Sequence, residues 1–175
     1  MSDRLKRLAE LSILTALALI IFVVELQFPS ITPIAGVKLG LANIITVYGV
    51  YRYKAGETAS VLLVRILLGS LFGGNPSAII YSLSGGALCL SGMLLLKKII
   101  PENRLWVCSV LGAVLHNLGQ TAAAYFVMGK AVFLYLPFLT VSGCVAGAIT
   151  GMCAQLVLMR FRKNGKGGNP NAKTK

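Results

Sequence analysis

The side chains in this sequence best suited to chemistry stand within, or at the edges of, long apolar runs. They are Glu25, Lys38, Asn43 and Arg65 in the first half of the chain, and His116, Asn117 and Gln120 in the second. An ionisable group at membrane depth costs about 2.5 to 3.5 kcal/mol on insertion scales, so each such residue is by default a candidate for function. Two cations and one carboxylate make up the charged part of this set. If Glu25 pairs with one cation, the other is left for an anionic group of a ligand. The competing reading is structural: Glu25 and Arg65 form an interhelical bridge while Lys38 snorkels to the headgroups. His116 and Gln120 are four residues apart and share a helix face with Gly112 and Gly119, a surface both small and polar that must look into a bundle or a wet cavity.

Several chemistries are excluded by what surrounds these residues. There is no GxxxxGK[ST] loop, so any drive from ATP must come from a partner. The sole aspartate is Asp3, which leaves no Asp-rich site for a magnesium diphosphate and no carboxylate pair for acid/base work. No Ser/His/acid or Cys/His constellation stands out, and a single histidine makes no metal site. Cys89, Cys108, Cys144 and Cys153 lie in apolar segments without CxxC spacing and read as small buried hydrophobes. Neither a catalytic residue, a metal nor a cofactor is expected.

The elements that must position these residues are membrane helices. Of 175 residues, 56% are hydrophobic and 13% charged, and the mean hydropathy is +0.78. That composition excludes disorder and a large water-soluble domain. A spanning helix needs about 20 mainly apolar residues. This yardstick predicts an all-α bundle of six transmembrane helices over residues 8–28, 38–52, 56–72, 77–96, 105–128 and 132–159, forming one domain over 1–159. Pro29 and Pro33 stop the first span. The turn Gly73, Gly74, Asn75, Pro76 divides an uncharged run too long for one helix. Residues 160–175 form a basic, polar tail, predicted to be disordered and cytoplasmic.

Charge sets the orientation. Of 17 basic residues, fourteen fall on one side: Arg4, Lys6 and Arg7, then Arg52 and Lys54, then Lys97, Lys98 and Arg104, then six in the tail. Lys38 and Lys130 fall on the other. Loops rich in Lys and Arg stay cytoplasmic, so both termini are predicted inside. The net charge of +12 is thereby explained by topology, without a nucleic-acid partner. The basic start followed by an apolar run resembles a secretion signal, but Glu25, Gln27 and Pro29 stand where small residues would be needed for cleavage, so the segment reads as a permanent helix. Gly143, Gly147 and Gly151 form a doubled GxxxG strip for helix packing, and Ser12 with Ala16 forms a weaker one that can seat a helix of this chain or of a partner.

The strings IAGVKLGLANIIT (34–46), VRILLGSLFGG (64–74), YSLSGGAL (81–88), VLGAVLHNLGQ (110–120) and LYLP (134–137) resemble the Gx transporter family, often labelled heptaprenyl diphosphate synthase component I. That family is similar to the substrate-capture (S) components of energy-coupling-factor vitamin transporters, six-helix proteins that work with a transmembrane coupling subunit and two ATPases. The resemblance implies a multi-pass protein of a bacterial cell membrane that captures a small solute in the outer half of the bundle, vitamin-like or related to isoprenoids, quinones or flavins. It also implies a contact of Ser12 and Ala16 with a coupling subunit. The usual motif there has two alanines, and Ser12 departs from it. The alternative is a non-catalytic accessory subunit of isoprenoid or quinone synthesis, or of flavin-based extracellular electron transfer. The synthase label itself finds no catalytic motif here. Alkaline phosphatase fused after Lys175 is expected to be inactive in a bacterial host, and activity in the periplasm would overturn the orientation.

Overall fold

The computed structural model describes residues 3–27, 41–74 and 78–167, with side chains through Arg160. Among these, every regular element is helical: α1 (Asp3–Leu26), α2 (Asn43–Arg52), α3 (Ala55–Phe72), α4 (Ala78–Leu96), α5 (Leu105–Met128) and α6 (Leu136–Gly167). Short 3-10 segments, Glu102–Arg104 and Gly129–Leu134, precede α5 and α6.

α1, α3, α4 and α6 are each long and apolar enough to cross a membrane. The other two elements depart from the expected spans for different reasons. α5 has the length, at 24 residues, but His116, Asn117 and Gln120 interrupt its apolar sequence. α2 has ten residues, a rise of about 15 Å, or half the hydrocarbon thickness. Residues 28–40, which hold Pro29, Pro33 and Lys38, lie outside the described residues. α6 begins at Leu136 instead of residue 132, because Pro137 is accommodated in a first helical turn and the residues before it form a 3-10 segment. At its other end α6 runs on to Gly167, past the expected boundary at 159, since no proline or glycine interrupts residues 160–164.

Successive helices run in opposite directions. α1 and α3 are parallel, since Arg7 meets Glu57 at one end and Phe22 lies beside Gly69 towards the other. α5 is the central element, packed between α4 and α6. It meets the α4 backbone at Gly119, where an added Cβ would lie 2.6 Å from the Ser84 carbonyl oxygen and 2.8 Å from the Gly85 Cα. The Ser84 hydroxyl donates to the Gly119 carbonyl at 2.7 Å across this contact. On the opposite side of α5 the strip of Gly143, Gly147 and Gly151 lies against Asn117, Val110 and Trp106 in turn, so it serves packing within the chain.

Burial is layered along the bundle. One apolar cluster, including Val47, Val50, Ile66, Met93, Leu105 and Cys108, fills the end where the basic residues gather. A second, with Tyr81, Ala123, Ala124, Val132 and Leu139, fills the far end. Between them lie buried Arg65, His116, Asn117, Gln120 and Thr121. Of the cysteines, Cys89 and Cys108 are buried as expected, whereas Cys144 is half-buried and Cys153 exposed, because they fall off the glycine strip on the outer side of α6. The bundle's outside is apolar, with Leu8, Ile13 and Ile20 of α1 and Phe126 of α5 largely exposed, as a lipid-facing surface requires.

The basic end is tied by polar contacts. Arg7 donates from Nε and Nη2 to the two carboxylate oxygens of Glu57 at 2.9 and 2.8 Å, and its guanidinium lies 4.8 Å from the Tyr53 ring centre. Glu57 also accepts from the Lys54 backbone N–H at the start of α3, and Tyr53 donates to Glu10. Burial, reinforced by that bond to Glu10, pushes the Tyr53 phenol up to about 12, so it stays protonated and donating. The Lys97 ammonium donates to the Val50 carbonyl near the C-terminus of α2, where a cation also suits the helix dipole. Gly119→Ala is expected to lower stability by about 1 to 3 kcal/mol, because the added methyl meets backbone that cannot yield. Gly56→Ala, whose Cβ would meet nothing within 4 Å, serves as control and should leave the thermal midpoint in detergent unchanged or slightly raised.

Candidate functional site

The polar layer is built from residues that their helices cannot turn outward. Arg65 sits midway along α3, one residue before core Ile66, and is only 6% exposed. Its guanidinium interacts electrostatically with Glu25, itself buried near the end of α1. His116 lies within electrostatic reach of Arg65 from α5. Gln120, one turn further along α5, places its amide nitrogen 2.9 Å from His116 Nε2. Both side chains press on Gly85 of α4, whose missing Cβ makes room for them.

Asn117 points elsewhere. Its Nδ2 donates to the Leu139 carbonyl, which places the residue on the α6 side of α5 beside Gly143. The structure thus brings Glu25, Arg65, His116 and Gln120 into one connected group and sets Asn117 apart from it. Asn43 is buried at the first turn of α2, and Lys38 lies outside the described residues. Ser12 and Ala16 are on the exposed side of α1, uncovered by any other described helix.

Beside Arg65 is a cavity of about 10 Å³, bounded by Phe22, Ile66, Ser70, Ala78 and Ser82, room for about one water molecule. The small residues of α4 and α5, Ser84, Gly85 and Gly119, let these helices close to backbone contact and draw the polar side chains inward. Yet the layer is not satisfied. Asn43 Oδ1, Arg65 Nε, His116 Nδ1, Asn117 Oδ1, Gln120 Oε1 and Thr121 Oγ1 are buried without hydrogen-bond partners among the described residues. Buried polar atoms are paired in the large majority of cases, and here donors and acceptors from α2, α3 and α5 are left over together.

Three contributors are absent from the sequence-based candidates. Thr121 stands one turn beyond Asn117, so helical spacing from a chosen residue would have found it. Ser70 and Ser82 line the cavity at Arg65, but serines in apolar helices commonly bond their own backbone, as Ser70 does to the Leu67 carbonyl. Only the fold distinguishes them.

Residues 14–157 match a family model described as heptaprenyl diphosphate synthase component I, which covers most of the chain. No curated protein and no solved structure matches it. The Arg65 to Glu25 interaction can be weighed by a double-mutant cycle with Arg65→Ala, Glu25→Ala and the pair. A coupling of about 0.5 to 3 kcal/mol in thermal stability is expected from interacting charges, and strict additivity would mean the two act independently.

Proposed function

Because the chain belongs to the heptaprenyl diphosphate synthase component I family, we propose that it is an integral membrane subunit that captures a small solute carrying an anionic group, for uptake driven by partner subunits. The observation that carries this reading is that Arg65, His116 and Gln120, brought together at the centre of the bundle, each keep a buried polar atom without a hydrogen-bond partner among the described residues. A purely structural layer would be expected to satisfy itself, since each orphaned group costs about 1 to 3 kcal/mol. A ligand with one anionic group and a hydrogen-bonding group would satisfy the donor on Arg65 and the acceptor on Gln120, within reach of His116. Arg65 is the natural anchor, as a guanidinium stays charged and grips a carboxylate or phosphate in two places.

In this reading the bundle crosses the membrane six times with both termini cytoplasmic, so the Arg7 end faces the cytoplasm and the polar layer is reached from outside. Admitting a solute to the Arg65 cavity requires the helices around it to part. α1 is the element least held, burying only Ala18 and Glu25 along its length. Its exposed Ser12 and Ala16 supply the docking strip for a transmembrane coupling subunit. We assign no catalytic role. Prenyl transfer needs magnesium-held diphosphate, and Asp3, Glu10, Glu25, Glu57 and Glu102 are scattered through the sequence.

A second reading, a non-catalytic accessory subunit of isoprenoid, quinone or electron-transfer machinery, is favoured by the one-water size of the Arg65 cavity. Purification from native membranes, with mass spectrometry of retained small molecules and subunits, separates the two. Solute capture is expected to yield a co-purified anionic molecule that Arg65→Lys weakens while the fold is kept. Unchanged retention in a well-folded Arg65→Ala protein would remove Arg65 from the site, and prenyl transfer by the chain alone would overturn the non-catalytic assignment.

A further inference from the structure

A second concavity, far larger than the one at Arg65, opens between α1, α2 and α6. Its volume is about 440 Å³, within the range of pockets that hold drug-sized ligands. Ile13 and Leu17 of α1, Ile44 and Ile45 of α2 and Val157 of α6 supply apolar walls, while Tyr48, Arg52 and Tyr53 stand towards the basic end. The helix repeat imposes this sorting: residues 44, 48 and 52 share one face of α2 and pass from aliphatic to phenolic to cationic over about 12 Å.

The groove exists because α1 and α6 both pack on α2, while their main neighbours are α3 and α5 respectively. Its walls are open to the side. Ile13, Leu17 and Val157 are 61%, 44% and 43% exposed, so an apolar chain can enter from surrounding hydrocarbon without crossing a polar barrier. At the charged end Glu10 is engaged by the Tyr53 hydroxyl, whereas Arg52 is exposed and belongs to neither ion pair of the described residues. Lys54 adds a second exposed cation two residues on.

We propose that this groove is a specific site for one anionic bilayer lipid, an acyl chain lying along Leu17 and Ile45 and the headgroup phosphate meeting Arg52. Apolar walls open to the bilayer select a chain, and a cation at the level where helices end selects an anionic head. The assignment does not depend on the solute-capture reading, since it uses none of the residues of the polar layer.

The test uses the full chain purified in detergent and offered equimolar phosphatidylglycerol and phosphatidylcholine with identical acyl chains, bound lipid being counted by native mass spectrometry. Phosphatidylglycerol should be retained roughly fivefold more, the preference one basic residue gives near a lipid phosphate. Arg52→Gln should bring the two lipids close to parity. Val157→Trp and Leu17→Trp, each filling the groove from an exposed position, should lower total retention severalfold, while Leu71→Trp on the outer surface of α3 should not. Equal retention of both lipids by the unaltered chain, a preference untouched by Arg52→Gln, or full retention in both groove-filling variants would overturn the proposal. So would retention of geranylgeranyl diphosphate, offered in a parallel arm, by a protein that keeps no phosphatidylglycerol.

Discussion

A guanidinium that cannot lose its proton is buried in the middle of an apolar helix, and much of this bundle is arranged around that fact. Arg65 must keep its charge, and removing an ion of this kind from water costs several kcal/mol even after the protein relaxes. The fold answers with charge drawn from another helix, the Glu25 carboxylate of α1. That compensation needs α1 at a fixed height relative to α3. Phe22 beside Gly69 and Leu26 beside Gly73 set that height.

Close helix approach is the second condition. Polar side chains as short as Asn117 and Gln120 can reach a neighbouring helix only if its backbone is near, and glycine makes it near on both sides of α5. Gly85 and Gly119 serve the α4 side, and the strip from Gly143 to Gly151 serves the α6 side. A helix whose middle is too polar for comfortable contact with lipid is thereby made the centre of the bundle, sheltered by α4 and α6. In lipid, where apolar surfaces gain little from meeting one another, such backbone proximity and interhelical hydrogen bonding are the main forces left to hold helices together.

What could be read from the sequence follows from which signals are local. α3, α4 and α5 are bounded by charges, glycines and prolines in the chain itself, and their expected ranges agree with the helices to within a residue. α6 was legible in its strip and not in its ends, because Pro137 and the helix-forming run after Met159 act through backbone geometry, to which hydropathy is blind. In the site, burial of Arg65, His116 and Gln120 follows from their apolar neighbours. That Asn117 turns to α6 while His116 faces α4 depends on which helices flank α5, and adjacent residues on a helix point about 100° apart. The lipid-facing groove had no signature at all, being a space left by three helices distant in the chain.

The paired contacts of Arg7 with Glu57 and Tyr53 have a mechanical consequence. They pin α1 at its basic end, while its other extremity holds Glu25 and ends at Leu26 beside Gly73. A rod fastened at one end amplifies rotation in proportion to distance from the pivot. From Arg7 to Glu25 the helix rises about 27 Å, so a tilt of roughly 10° about the Arg7 pivot would carry the Glu25 carboxylate about 5 Å, well over the length of a hydrogen bond, while residues near the pivot hardly move. Any such tilt would displace the region of the buried charge and leave the basic end still, so a surface docked against the first turns of α1 would see a fixed platform while the far end moved.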